Sequence, residues 1–181
     1  HVVVVKSTVV PGTTDTVVTP LIEKTSGKKA GIDFGVGMNP EFLREGEAVA
    51  DFMSPDRIVL GGGDPRCLAR MQDLYAPFES VDIMATSPKT AEMIKYAANA
   101  LMATMISFSN EIGNLCKRTG GVDVTEVMKG VHLDKRLSPI LHDGRRIVPA
   151  ITSYLEAGCG FGGSCFPKDV KALIAYGKSL G

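Results

Sequence analysis

The feature that most constrains the fold is a stretch of about 30 residues that can form one uninterrupted helix, roughly 45 Å long. It begins at Ser87-Pro88 and runs to about Arg118, with no further proline and no glycine before Gly113. Gly120-Gly121 then ends it. Apolar residues recur every three or four positions, which predicts one buried stripe along the helix. The residues of this stripe are Met93, Ala97, Leu101, Thr104, Phe108, Ile112 and Leu115.

The segment before this helix alternates between strand-like and helix-like composition. Val2–Val5 is a β-branched run typical of a strand buried on both faces. Further strands are predicted at 33–38, 57–60 and 81–84, with helices between them. The alternation predicts an α/β domain over residues 1–86, followed by an all-α domain over residues 87–181.

Composition excludes several classes of protein. Twenty basic and 20 acidic residues give zero net charge, which argues against a nucleic-acid binder. The run Val2–Val5 is too short to cross a membrane. A strand directly after His1 leads us to expect a piece of a longer protein. The four cysteines favour free thiols in a reducing cytoplasm, and their spacing predicts no metal site.

A glycine-rich loop and the cysteine after it form the strongest chemical signal. Gly158–Gly163 fits the G-x-G-x-x-G pattern, but no strand precedes it, so it is not a dinucleotide fingerprint. Cys165 stands two residues before Pro167, at a predicted helix N-terminus that favours the thiolate. Lys168 lies one turn away and adds positive charge, and Asp169 lies four residues on. We interpret Cys165 as a nucleophile. The other cysteines, Cys67, Cys116 and Cys159, are predicted to be small buried hydrophobic residues.

Two pairs of polar residues have helical spacing. Glu41 and Glu45 follow Asn39-Pro40, a predicted helix start, and would share one face. Acidic residues at a helix start are equally compatible with simple compensation of the helix dipole.

Lys95 and Asn99 form the second pair, close to the apolar stripe of the long helix. A lysine in that position must reach solvent, form an ion pair or serve a site. Glu92, three residues earlier, is an alternative, purely structural partner for Lys95.

Five motifs in fixed order closely resemble the UDP-glucose/GDP-mannose dehydrogenase family over essentially the whole chain. They are Lys6-Ser-Thr-Val-Val-Pro-Gly12, Asn39-Pro-Glu-Phe-Leu-Arg-Glu-Gly46, Glu92-Met-Ile-Lys-Tyr-Ala-Ala-Asn99, Ile106-Ser-Phe-Ser-Asn-Glu111 and Gly160-Phe-Gly-Gly-Ser-Cys-Phe-Pro-Lys-Asp169. The resemblance implies a partial Rossmann-like NAD domain followed by a central helical dimerisation domain.

The resemblance also implies an activity. Such enzymes use two NAD+ to oxidise the C6 alcohol of a nucleotide sugar to a carboxylate, in polysaccharide biosynthesis. Cys165 would form the thiohemiacetal and the thioester. The other implied catalytic residues are Lys95, Asp169, Glu41, Asn99 and Thr8. Residues implied to touch NAD are Ser7, Thr8, Glu45 and Lys168. Residues implied to bind substrate are Glu41, Phe42, Leu43, Lys95, Asn99, Gly158, Gly160, Phe161 and Gly162.

Some expectations remain open at this point. Arg136, Arg145 or Arg146 could match the family's basic motif that reaches the partner subunit. The substrate is expected to be UDP-glucose, with GDP-mannose or a UDP-N-acetylhexosamine as alternatives. A 3-hydroxyacid or 6-phosphogluconate-type dehydrogenase is a runner-up that needs no nucleophilic Cys165. The family's first half-Rossmann unit and its C-terminal domain have no counterpart here, so we expect the isolated chain to be inactive and to act at most as a dimerisation module.

Overall fold

A computed structural model describes residues 1–181, which form two compact units. The first unit comprises residues 1–97 and 175–181, and the second comprises residues 98–174. Two helices, Pro88–Thr119 and Cys165–Ser179, contribute residues to each unit. The elements in chain order are β1 (Val2–Val5), a π-helix (Thr14–Val18), α1 (Thr19–Ser26), β2 (Gly35–Met38), α2 (Ala48–Met53), β3 (Ile58–Gly62), α3 (Pro65–Tyr75), β4 (Ile83–Thr86), α4 (Pro88–Thr119), α5 (Val124–His132), a 3-10 helix (Ala150–Leu155) and α6 (Cys165–Ser179).

The first unit is built on a four-stranded sheet in the order β1-β2-β3-β4. The pairs β1–β2 and β3–β4 are parallel, whereas β2 and β3 run antiparallel. This arrangement confirms the predicted α/β class. The prediction that β1 is buried on both faces is wrong, because β1 is an edge strand and Val3 and Val4 are exposed.

Helix α3 packs closely on the sheet because β2 carries two glycines. A Cβ atom added to Gly35 would lie 2.7 Å from Cys67 Cβ, and one added to Gly37 would lie 2.5 Å from Met71 Sδ. Both distances are shorter than real carbon contacts, so only glycine allows this approach. The helix itself begins as its sequence predicts, because the Asp64 side chain accepts a hydrogen bond from the amide of Cys67.

The connection from β1 to α1 contains a feature that the sequence did not reveal. The sequence predicts a helix between the first two strands, but Thr14–Val18 is a π-helix that leads directly into α1. Pro20 is the second residue of α1, which directly follows the π-helix. Single π-turns of this kind occur often at functional sites.

The second unit is helical, and α4 confirms the predicted long helix with 32 residues. Asp123 caps α5 by accepting a hydrogen bond from the amide of Thr125. None of the helices has the length and hydrophobicity needed to cross a membrane.

The predicted buried stripe of α4 is wrong. Leu101, Phe108 and Leu115 are 52%, 50% and 58% exposed. The buried positions of the helix carry smaller or polar side chains on a different face: Ala91, Glu92, Lys95, Tyr96, Ala103, Ser109 and Cys116. The periodicity therefore identified the helix correctly, but the apolar face that it marks is not covered within this chain.

Candidate active site

The loop after β2 has a different structure from the one that its sequence predicted. No helix starts at Asn39-Pro40; the next helix, α2, begins at Ala48. The Asn39 side chain is buried, donates to the carbonyl of Val59 at 2.8 Å and accepts from the Tyr75 hydroxyl. Asn39 thus ties the loop to β3 and α3 and does not cap a helix.

Glu41 and Glu45 consequently do not share a helix face. Glu41 is half-buried and its Oε2 accepts from the Leu43 amide at 2.7 Å. Glu45 lies in an exposed turn. The structure brings Glu41 to Lys95 instead, with 3.2 Å between Lys95 Nζ and Glu41 Oε1. Lys95 is only 5% exposed, so this is a largely buried ion pair.

Phe42 lies beside this ion pair. Lys95 Nζ is 5.4 Å from the centre of its ring, and the Arg57 guanidinium stacks 3.9 Å above it. Cations at these distances are attracted by the electron-rich face of an aromatic ring. Two cations and one carboxylate therefore surround the loop residue Phe42, which is half-buried.

Residues 6–8 follow the end of β1 in the same unit. The pKa of Lys6 is lowered, mainly because its ammonium is partly buried. The carboxylate of Glu41 opposes this shift, and the charge of Lys95 adds to it. The hydroxyls of Ser7, which is exposed, and Thr8, which is half-buried, form no hydrogen bond within the protein.

Glu92 is not the partner of Lys95. Its carboxylate is fully buried and accepts hydrogen bonds from the backbone amides of Gly12 and Thr14 and from the Thr14 hydroxyl. The alternative in which Glu92 is the structural partner of Lys95 is therefore wrong, and the ion pair of Lys95 is with Glu41.

In the second unit, Cys165 is exposed and is the first residue of α6. Pro167 is the third residue of the helix, so the predicted position at a helix N-terminus is confirmed. The Cys165 Sγ lies 3.8 Å from the Ser164 hydroxyl oxygen.

The remaining cysteines follow the predictions only in part. Cys67 and Cys116 are buried, and burial raises the pKa of the Cys67 thiol. Cys159 was expected to be buried but is exposed, because it lies in the glycine-rich loop and not in a packed element.

Asp169 lies one helical turn after Cys165 and is 2% exposed. Its carboxylate accepts from Asn99 Nδ2 at 2.6 Å and forms an ion pair with Lys168. The structure thus brings three predicted site residues together in this unit. Because the Lys168 ammonium forms an ion pair with Asp169, the charge of Lys168 is partly compensated.

The glycine-rich loop is anchored at its start and end. The amide of Gly158 donates to Asn110 Oδ1 at 3.0 Å, and the rings of Phe161 and Phe166 meet edge-to-face with centres 6.2 Å apart. Gly160 has a φ of 83°, which an L-residue with a side chain rarely adopts. Gly162 and Leu43, also predicted as substrate-binding residues, are exposed.

The three candidate arginines differ in their bonding. Arg136 and Arg145 are exposed and pair with Asp134 and Asp143 on the same turns. Arg146 donates to the carbonyls of Leu133 and Ser138 and so stabilises its own loop.

Sequence reasoning missed three residues that shape these sites. Arg57 and Asn110 act through long-range contacts, and neither was singled out, although Asn110 lies inside a quoted motif. Glu92 was considered only as a partner of Lys95. Hydrogen bonds between residues 78 or 80 positions apart leave no local pattern in a sequence.

Comparison with known proteins agrees with the geometry. Residues 1–79 match the model of the UDP-glucose/GDP-mannose dehydrogenase family, NAD binding domain, and residues 89–181 match that of the central domain of the same family. A UDP-glucose 6-dehydrogenase from Haloferax volcanii is 45% identical over 100% of this chain and 40% of its own length. A GDP-mannose 6-dehydrogenase from Azotobacter vinelandii is 46% identical over 96% of this chain and 37% of its own length.

A solved structure gives the same result. A UDP-glucose dehydrogenase from Pyrobaculum islandicum superimposes with a TM-score of 0.84 at 47% identity, over 100% of this chain and 38% of that one. The chain therefore spans about two fifths of the length of the relatives it matches. The expected dinucleotide cofactor, NAD, is supported by the first of the two family models. The chain belongs to the UDP-glucose/GDP-mannose dehydrogenase family.

Proposed function

We propose that the full-length protein containing this chain oxidises the C6 alcohol of a nucleotide sugar to a carboxylate. The observation that carries the proposal is the arrangement at the start of α6. An exposed thiol at a helix N-terminus precedes, by one turn, a buried carboxylate held by Asn99 and Lys168. A dehydrogenase that stops at the ketone or aldehyde needs no such nucleophile, which disfavours the 3-hydroxyacid and 6-phosphogluconate-type alternatives.

Cys165 has the central role in the second oxidation. Its sulfur adds to the C6 aldehyde, and the aldehyde oxygen takes up a proton to give a thiohemiacetal. Loss of hydride from C6, together with loss of the proton from its hydroxyl, then gives a thioester, and water cleaves it to the carboxylic acid and the free thiol. A free aldehyde has no comparable hydride to lose until it is hydrated, which is why covalent attachment helps.

Lys95 and Asp169, with water, transfer protons, and Lys95 also stabilises the oxyanions. An ammonium in a nearly dry environment stabilises developing negative charge far better than it would in water. The carboxylate of Glu41, 3.2 Å from that ammonium, activates the water that hydrolyses the thioester. Asn99 contributes to the same oxyanion binding, and Thr8 orients the catalytic water.

NAD+, when bound, accepts the hydride in both oxidations. We propose that Ser7, Thr8, Glu45 and Lys168 contact it. Support comes from the unpaired hydroxyls at the end of β1 and from the match to the family's NAD binding domain. The backbone of residues 156–162, together with Phe42 and Leu43, then contributes to the substrate site.

The exposed apolar face of α4 supports a homodimer. Leu101, Phe108 and Leu115 lie seven residues apart on one side of the helix and are uncovered within the chain. Seven-residue spacing of large apolar side chains is the pattern of helices that pack on each other. We propose that a second copy covers this face and that Arg136 or Arg145 reaches the partner.

The test is replacement of Cys165 by Ser in the full-length protein. Wild type is expected to form two NADH per nucleotide sugar and to release the acid. Cys165→Ser is expected to lose acid formation by a factor of about 10³ or more, because the hydroxyl is a far weaker nucleophile. Cys159→Ser, in the glycine-rich loop before α6 and also exposed, is the matched control and should retain activity, because only the backbone of that loop is assigned to the substrate site. Unchanged acid output from Cys165→Ser would refute the mechanism.

The identity of the sugar nucleotide is a separate question. Relatives named as UDP-glucose and GDP-mannose dehydrogenases are almost equally similar to this chain. We favour UDP-glucose, and GDP-mannose is the second candidate. Oxidation of a panel of UDP-glucose, GDP-mannose and UDP-N-acetylhexosamines by the full-length enzyme decides between them. Because the chain covers only part of its relatives, we expect the isolated chain to oxidise none of them.

A further inference from the structure

We propose that Glu92 is a positioning residue for the reaction, acting through the turn that carries Thr8. The inference rests on the proposed function, because Thr8 and Lys95 matter only if the chain belongs to such an enzyme. Glu92 itself touches neither substrate nor cofactor in this assignment. All the residues involved belong to the first unit.

The contacts of Glu92 are unusual for a carboxylate. Its side chain is completely buried, yet the acceptor contacts found for it come from uncharged groups. Oε1 accepts from the Thr14 amide at 2.8 Å and from the Thr14 hydroxyl at 2.6 Å, and Oε2 accepts from the Gly12 amide. Thr14 is also completely buried. A buried carboxylate is retained only when such donors satisfy it.

The donors are Thr14, the first residue of the π-helix Thr14–Val18, and Gly12, which lies two residues before it. The first amides of a helical segment have no acceptor within the segment and carry partial positive charge. Glu92 supplies that acceptor from α4, about 80 residues further along the chain. Glu92 therefore accepts hydrogen bonds from these amides as a capping side chain would, although it belongs to a different helix, α4.

This connection fixes the turn relative to α4. Thr8 lies four residues before Gly12, and Lys95 lies one turn after Glu92 on the helix. Val9, which follows Thr8 in this turn, packs on the core of Met38, Val59 and Ala91. Because the same carboxylate holds both Gly12 and Thr14, a change at Glu92 shifts the turn and with it the Thr8 hydroxyl.

The test compares Glu92→Gln with the wild type in the full-length enzyme. The amide oxygen can still accept from Thr14, but its nitrogen then faces the Gly12 amide, donor against donor. We expect kcat per active site to fall at least about tenfold, since small misplacements of catalytic groups carry large rate costs. The KM for the nucleotide sugar should change little, because Glu92 contacts no substrate. The kcat is calculated per folded protein, with the folded fraction measured by near-UV circular dichroism, so that unfolded protein does not contribute.

Two further measurements separate positioning from general stability. Glu79→Gln removes an exposed carboxylate from the same unit and should leave kcat unchanged. Thr14→Val and Glu92→Gln should be non-additive in kcat, because each loosens the same turn by removing a hydrogen bond to the side chain at position 92. A Glu92→Gln enzyme with kcat within about twofold of wild type, or losses that simply add, would overturn the proposal.

Hydrogen exchange keeps this inference distinct from the proposed function. In Glu92→Gln the amides of Gly12 and Thr14 should exchange faster than in wild type, whatever the substrate is. If wild type oxidises no nucleotide sugar, the proposed function fails, and the exchange rates still decide whether Glu92 anchors the turn. Unchanged exchange of both amides would overturn the anchoring role itself.

Discussion

The two sides of α4 differ in a way that its hydrophobic pattern did not predict. One side buries charged and small residues, including Glu92, Lys95 and Ser109. The other exposes Leu101, Phe108 and Leu115. In an ordinary amphipathic helix the large apolar residues face the core and the charges face water.

The inversion indicates two different tasks for one helix. The buried charges are paired with Glu41 or satisfied by backbone amides, which is how a protein keeps charge in its interior for chemistry. The exposed apolar side chains are large enough to form an interface with a second copy. We therefore expect substitutions on the first side to affect catalysis and substitutions on the second side to affect assembly.

Lys95→Met should give the largest effect on the polar side. We expect the turnover of the full-length enzyme to fall about 10²- to 10⁴-fold, the range that positioned acid–base groups contribute. Steady-state NADH formation measures it. Lys117→Met, an exposed lysine on the same helix, is the matched control and should behave as wild type. Near-normal turnover of Lys95→Met would remove Lys95 from the mechanism.

The double variant Glu41→Gln/Lys95→Met separates stability from activity. Lys95→Met alone leaves a half-buried carboxylate without its cation, so chemical denaturation should show lost stability. Adding Glu41→Gln removes that unpaired charge, and stability should partly return while activity stays low. Recovery of activity in the double variant would contradict the assigned roles.

Phe108→Asp tests the apolar side. A carboxylate in the centre of the proposed interface would be buried without a partner, so the dissociation constant of the dimer should rise about 30-fold or more. Analytical ultracentrifugation measures it. Asn114→Asp adds the same charge about 120° around the helix and should leave the dimer intact. A monomeric wild type, or a Phe108→Asp dimer of normal affinity, would count against this interface.

The exposed pair Asp134–Arg136 should give the smallest effect, in contrast to the largely buried pair of Lys95 with Glu41. Hydrogen bonds from the Arg136 guanidinium hold the pKa of Asp134 at about 2, below its unfolded value of about 3.9. Its stabilising contribution is thus present above about pH 4 and is lost as the pH falls towards 2. Solvent screening keeps it small.

Asp134→Asn removes that titration. Denaturation midpoints of wild type and variant should differ slightly at pH 6, and the difference should vanish near pH 2. Arg70 and Asp73 form a longer exposed contact, with 3.7 Å between Arg70 Nη1 and Asp73 Oδ2, and Asp73→Asn is the matched control for removal of an exposed carboxylate. A difference that grows as the pH falls would contradict the sign of the shift.

The local parts of the fold were predictable because local patterns cause them. Asp64 and Asp123 cap helices where a carboxylate precedes a helical segment, and α4 is long because nothing in its sequence interrupts it. The loop at Asn39 was not predictable in the same way. Asn39-Pro40 has the composition of a helix start, but its side chain finds better partners on β3 and α3. The division of the chain at residues 86–87 stays a prediction.

By itself the sequence determined the family, the α/β and helical segments, and the position of Cys165 at the start of α6, because these depend on residue types at short spacings. Only the tertiary structure decided which charges meet. In the folded chain Lys95 pairs with Glu41, Glu92 accepts hydrogen bonds from the turn after β1, and the apolar side of α4 is exposed. The physical reason is that burial and hydrogen bonding depend on which elements pack together, and a helical period alone does not say what covers each face.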